Sequence, residues 1–339
     1  MTKKVATFLL AVTVAIAFAG CTTTDTASSG DVEVIVEETI VQGGDNVSSD
    51  NNVSSIPQQG SSTSTPSTTT TPSTPSTTTP QNTLPDIDFE WKSHPQDFKL
   101  IALTFDDGPS SKMSDYVTLL NAYEGAGTFF VNGNKIDSDY KYSLMQNAVN
   151  YGWDIGNHGD NHLVATIGGA GGSEASYDQI KADITTLSNK LETHLKNRDG
   201  SAYKVQIYRA PNIKPTANTF KICRELNYPV IWLAHDALDW DTTKTDKNRE
   251  DVFKNGIGTW KDGDVILCHE VQQFADQTYN NLEKYLPEFY RAGYRFCSVT
   301  ELMQLRGITR EQISGELNNV GGNRGMVTNI LDAAAAGKK

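Results

Sequence analysis

Two adjacent carboxylates, Asp106 and Asp107, stand at the end of the apolar run Leu100–Phe105 and directly before Gly108-Pro109. Side by side they repel each other. A metal ion relieves the repulsion, with one acid as ligand and the other left as a base. The bland alternative is a solvated turn, since Asp, Gly and Pro are ordinary turn residues. Further along, His158-Gly159-Asp160-Asn161-His162 carries two imidazoles four residues apart. That spacing predicts one side of a helical turn and a shared grip on one ion. Added to a carboxylate of the acid pair, the two histidines make a three-ligand site with its fourth position open to water. An ion held this way acidifies water and polarises a carbonyl. Structural histidines compete with this reading, yet two of the chain's six fall in this one loop.

Other reactive side chains come later in the chain. Tyr208-Arg209-Ala210-Pro211-Asn212 offers a guanidinium, Asp236-Ala237-Leu238-Asp239-Trp240 offers two acids, and Leu267-Cys268-His269 offers an imidazole. Arg209 is either a surface ion pair of little worth or a clamp that keeps one of the two aspartates ionised. Singly, His269 reads as a core histidine. Cys268 beside it suggests a nucleophile, but neighbours on a strand face opposite ways.

These residues need a scaffold that delivers them to one place. From about Asp86 the chain alternates between β-prone and helical stretches. Strands are expected at Lys99–Phe105, Gly127–Val131, Trp153–Asn157, Val205–Tyr208, Val230–Leu233, Val265–Cys268 and Arg295–Val299. Helices are expected at Met113–Tyr123, Tyr140–Tyr151, Ser173–Leu195, Ala217–Leu226, Arg249–Gly256 and Gln277–Arg291, with a last turn at Glu301–Leu305. Repeated βα units imply an α/β domain with a mainly parallel sheet, closed or nearly so, and helices outside. Each reactive group then lies at or just beyond the carboxyl end of a strand, where such folds place their sites.

The rest of the sequence sets bounds. Lys3 and Lys4, the apolar run Val5–Phe18 and small residues before Cys21 form a secretory signal, and Ala19-Gly20-Cys21 resembles a bacterial lipobox. No later stretch is long and apolar enough to span a bilayer. Residues 21–85, rich in Asp, Asn, Ser, Thr and Pro apart from a β-prone run at Val32–Val41, cannot bury enough apolar surface to order themselves. They read as a disordered tether. The formal charge is −12; without Lys3 and Lys4 it is −14, which argues against a nucleic-acid partner. Cys223, Cys268 and Cys297 have neither zinc-site nor disulfide-framework spacing. The expected organisation is a signal at 1–20, the tether at 21–85, the catalytic domain at 86–308 and a tail at 309–339 without an assigned role.

Taken in order, Thr104–Pro109, His158–His162, Arg209–Asn212, Asp236–Trp240 and Leu267–His269 resemble the five motifs of the polysaccharide deacetylases, the NodB-like domain of the family-four carbohydrate esterases. The resemblance covers about residues 98–306. It implies a distorted, incomplete, seven-stranded (β/α) barrel, with Asp106 as general base and Asp107, His158 and His162 as ligands of one divalent ion, zinc or one such as cobalt. Arg209 would pair with the base, and the Asn212 amide would bind the oxyanion. Leu267 would line the acetyl pocket and Trp240 would contact substrate. His269 would be the general acid, oriented by Asp236 or Asp239, both of which fit. The implied substrate is an acetylated polysaccharide, and Asn212, where Tyr is frequent in peptidoglycan and chitin deacetylases, leans towards the acetyl-xylan-esterase branch. Gly159 departs from the usual Ser or Thr, removing a loop hydrogen bond, and Glu270 stands where Asp is common. Lipidation at Cys21 would anchor a monomer outside the cytoplasm, on a membrane surface. A non-catalytic glycan-binding lipoprotein on the same fold is the alternative, and a phosphoesterase would need cationic clamps or a second metal.

Overall fold

A computed structural model describes residues 84–165, 175–313 and 329–337. Cys21, the signal, the Val32–Val41 run and most of the tether lie outside them. The organising element is β1 (Lys99–Gly108), whose near-continuous apolar sequence suits a strand covered on both faces. Along one edge it pairs with β5 (Asp264–His269). Its other pairings are with β6 (Tyr294–Phe296) at its first residues and β2 (Thr128–Val131) at its last. β3 (Asp154–Asn157) continues beyond β2, and β4 (His235–Asp236) beyond β5, all in parallel.

Two single bridges, Asn157 with Tyr208 and Tyr208 with Val230, carry the sheet past β3. The stretch that begins at Val230 ends in β4 against β5. Residues 230–236 therefore touch both edges and curl the sheet into an incomplete barrel of seven segments. The expected strands at Val205–Tyr208 and Val230–Leu233 shrink to bridges. The reason is local: the Ile231 and Trp232 carbonyls accept from the Arg209 guanidinium at 3.3 and 3.2 Å, and Pro229 has no N–H to give a ladder.

Strand alternation divides the core in two. Ile101, Leu103, Phe105, Phe129, Ile155 and Cys268 pack outward under the helices. Leu100, Ala102, Phe130, Ile207, Ile231 and Val265 fill the lumen and barrel floor. The outer layer comprises α1 (Met113–Asn121), α2 (Asp139–Asn150), α3 (Tyr177–His194), α4 (Ala217–Leu226), α5 (Asp246–Thr259), α6 (Ala275–Arg291) and α7 (Val299–Leu305). Capping boxes at Ser176, Thr216 and Thr245 start α3, α4 and α5 by satisfying exposed first-turn amides. Ser298 caps α7, which ends the last strand sooner than its β-prone sequence predicts.

The tail has a structural place after all. Ile313 from α8 (Arg310–Ile313) and Ile330, Ala333 and Ala334 from α9 (Ile330–Gly337) join the lumen cluster at the barrel floor. Asn329 pins α9 there: its amide donates to Asp262 and Asp264 while its oxygen accepts from Leu331 and Asp332. Among the described residues no helix is long and apolar enough to cross a membrane.

Candidate active site

The upper lumen carries the polar groups. On β1, Thr104 and Asp106 follow Ala102 inward, and on β5, Leu267 and His269 follow Val265, with Asp106 directly opposite His269 in the sheet register. Asp106 is buried, and its Oδ1 lies 2.8 Å from the Arg209 guanidinium. Arg209 is wholly enclosed, also donates to the Thr104 hydroxyl at 2.6 Å, and stacks 4.3 Å above the Phe130 ring. Each nitrogen of that guanidinium is aimed by the fold, so it works as a fixed charge beside one carboxylate.

Asp107 breaks the strand. By alternation Asp107 would face outward; its φ of +71° turns its side chain towards the histidines instead. Its Oδ1 lies 3.5 Å from His158 Nε2 and 3.3 Å from His162 Nε2, and the three ligand atoms are all within 4.8 Å of one another. Ligand bonds of about 2.0–2.1 Å in a tetrahedron put neighbouring ligand atoms about 3.3 Å apart, so this donor set fits a divalent cation. His158 Nδ1 donates to the Arg209 carbonyl at 2.8 Å, which leaves Nε2 with its lone pair towards the site. Burial lowers the pKa of His158, which favours the neutral, ligating form.

The helical turn expected for His158–His162 is absent. The segment is a loop with positive φ at Gly159 and at His162, +85° and +53°. Two imidazoles still converge because the loop folds back on itself, and not because of a 3.6-residue period. Asn132, at the end of β2, supports it by donating to the His158 carbonyl at 2.9 Å.

The two acids of the fourth motif separate cleanly. Asp239 accepts from His269 Nδ1 at 2.7 Å, from the His269 backbone amide at 2.8 Å and from Thr278 at 2.9 Å. Asp236 makes neither of the bonds that would orient His269. It accepts from the Leu238 amide and the Trp240 indole, at 2.7 and 2.9 Å, and holds that half-exposed ring in place. Burial alone would lower the pKa of His269, but the hydrogen bond and charge of Asp239, with Asp106 and Asp107 nearby, push it up to about 9. The imidazole is thus kept as a proton donor at neutral pH, with Nε2 its unengaged end. Cys268 faces the outer core, and burial raises its thiol pKa well above the usual range, so it is inert.

Asn212 sits at φ +53° in a tight turn after Pro211, and its backbone amide has no partner among the described residues. Leu267 is buried two residues before His269, on the same face of β5. Gln272, to which the sequence assigns no role, donates to Asp107 Oδ2 at 2.6 Å and so leaves Oδ1 for the ligand cluster. Asp183 and Thr278 were equally unmarked; no local pattern flags a helix residue that serves a distant loop. Glu270 is buried over the turn after Asp107, accepting from the Ser110 amide and hydroxyl, and burial raises its pKa to about 8.

Known proteins resemble this chain over the same region. The polysaccharide deacetylase family model matches residues 93–231. The peptidoglycan-N-acetylglucosamine deacetylase of Bacillus cereus is 32% identical over 215 residues, 62% of this chain and 92% of that protein. The bifunctional xylanase/deacetylase of Pseudobutyrivibrio xylanivorans is 29% identical over 217 residues, which span 63% of this chain but 32% of that longer protein. Among solved structures, the family 4 acetyl xylan esterase of Clostridium thermocellum, in complex with a cobalt ion, aligns with a TM-score of 0.51 at 28% identity, covering 62% of this chain and 94% of that one. A Xyl-CE4 domain of a xylanase from the hindgut metagenome of Trinervitermes trinervoides aligns with a TM-score of 0.52 at 29% identity, covering 63% and 93%.

Proposed function

Because the chain belongs to the polysaccharide deacetylase family, we propose that it is a divalent-metal-dependent hydrolase that removes acetyl groups from a polysaccharide. The observation that carries this reading is the meeting of three groups at one barrel mouth: the Asp107, His158 and His162 ligand set, Asp106 fixed by Arg209, and His269 fixed by Asp239. Bound by that set, an ion such as zinc or cobalt would supply Lewis acidity to the acetyl carbonyl and lower the pKa of water. The chain's own residues do the rest. Asp106 Oδ2, free of the guanidinium, accepts the proton of the attacking water. The Asn212 amide donates to the carbonyl oxygen as it gains charge, which is the kind of fixed dipole that contributes most to such reactions. His269 then gives its Nε2 proton to the departing sugar oxygen or nitrogen, while Asp239 stabilises the imidazolium before transfer. Leu267 offers the acetyl methyl an apolar wall, and Trp240, steadied by Asp236, offers a sugar ring a flat face.

Acetylated xylan is the favoured substrate, on the Asn212 position and the likeness to acetyl xylan esterases. An N-acetylated glycan is the second reading, supported by His269 itself, because an amine leaves only when protonated and, against the effect of burial, the bond to Asp239 pushes the pKa of this imidazole up. Acetate release measured side by side on acetylated xylan, peptidoglycan and chito-oligosaccharides decides between them. No release from any of the three by the metal-loaded protein would sink the enzymatic reading in favour of glycan binding alone. We further propose that Cys21 is lipidated and that the tether leashes the catalytic domain to the outer face of a membrane. Cys21→Ser should then release active protein into the medium, and retention in the membrane fraction after high-salt washing would contradict the anchor.

A further inference from the structure

The loop that carries His162 holds a non-glycine residue at φ +53°, a conformation that persists only where the surroundings determine it. Its holder is on α3. The buried carboxylate of Asp183 accepts from the Asn161 amide at 2.7 Å and from the Leu163 amide at 3.4 Å, the two residues that flank His162. The Asp183 carbonyl also accepts from the Asp160 amide at 3.1 Å. Three amides of one short loop thus end on one helical residue. Gly159 makes room for it: a Cβ on Gly159 would lie 2.2 Å from Asp183 Oδ2.

Resting on the metal-site reading above, we propose that Asp183 is the positioning residue of the metal ligand His162, reaching the loop through the space that a side chain on Gly159, itself at φ +85°, would need. The hydroxyl expected after the first histidine is replaced here by a carboxylate reaching in from outside the motif. Asp183 touches neither substrate nor ion. Its effect is to hold the backbone at which His162 departs from ordinary geometry, so that Nε2 stays 3.3 Å from Asp107 Oδ1.

The test is zinc affinity of the full chain, measured by competition with a chromophoric chelator, alongside the thermal midpoint of the zinc-free protein. Asp183→Ala should weaken zinc binding about 10–100-fold, the range typical of residues that orient metal ligands, while kcat at saturating zinc falls far less. Gly159→Ser should weaken zinc binding in the same direction although all three ligands remain. Asp183→Asn, which keeps one acceptor oxygen, should fall between wild type and Asp183→Ala, and it carries the test if the alanine variant does not fold. A role confined to stability predicts a lower zinc-free midpoint with zinc affinity within about threefold of wild type, short of the range for ligand-orienting residues, and that result would overturn the proposal. His162→Ala separates this from the underlying reading. If it loses zinc while the Asp183 variants keep it, only the present inference fails, whereas stoichiometric zinc in His162→Ala would remove both.

Discussion

The two halves of the site are built by different means. The proposed acid–base half, Asp106 and His269, lies on adjacent strands whose register sets one residue directly across from the other, with Arg209 and Asp239 then fixing the two side chains. The proposed metal half lies on irregular backbone: Asp107 and His162 at positive φ, and His158 just beyond a short strand. Regular hydrogen bonding sets the backbone of the first half, whereas in the second individual side chains hold the backbone as well. Asn132, Asp183, Gln272 and the Arg209 carbonyl each secure one ligand or its loop. The contrast has a physical basis. A strand offers one direction per face, enough to aim two groups at a substrate, but three ligands about 3.3 Å apart need approach directions that parallel strands cannot supply.

If the halves are separable, damage to one should spare the other. The largest effect is expected for Asp106→Asn, which should cut kcat/KM about 10²–10⁴-fold on polysaccharide and aryl acetate alike while zinc stays stoichiometric by elemental analysis. Loss of the metal in that variant would mean the halves are one. His269→Ala comes next. It should lower activity on the polysaccharide by a factor in the same range but spare an aryl acetate, whose phenolate leaves without a proton. Equal losses on both substrates in a stably folded, zinc-loaded variant would show that His269 is not the acid.

Asp239→Asn sharpens the comparison through pH. The acid must be protonated, so activity should fall as pH rises through the His269 pKa, pushed up to about 9 in the native site. Without the Asp239 charge the folded-state value drops, and the alkaline limb of kcat should move to lower pH. An unmoved limb would assign that ionisation elsewhere. The smallest effect is expected for Gln272→Leu, which frees Asp107 Oδ2. Zinc affinity should weaken about 10-fold, near the low end for a residue behind a ligand, with the His269 limb unchanged. A shifted limb with unchanged zinc affinity would place Gln272 in the acid–base half instead.

Legibility in the sequence follows the same division. The Leu100–Phe105 run and the acid pair at its end were readable because strand periodicity and turn chemistry are local, whereas His269 alone read as a core histidine and took its role from the family resemblance. Helix starts were readable to within a few residues from hydrophobic spacing, as for the helix expected from Ser173 that starts at Tyr177 behind the Ser176 cap. The His158–His162 spacing pointed to two imidazoles that do converge, but not by the expected geometry, as four-residue spacing suits a helical turn and the loop reaches its convergence through positive φ. Asp236 and Asp239 could not be told apart, being three residues apart in a loop where alternation gives no direction.

By itself the sequence determined which residue types are present, their order along βα units, and therefore which strand ends carry chemistry. Those are properties of hydrophobic period and turn residues, written within a few positions of where they act. Tertiary structure alone decided that Asp239 and not Asp236 reaches His269, that the Arg209 guanidinium occupies the Ile231 and Trp232 carbonyls, and that Asp183 and Gln272 stand behind the His162 loop and Asp107. These contacts join residues 20 to 165 positions apart. No local propensity encodes them, because a hydrogen bond depends on where the packed helices and strands bring its two ends.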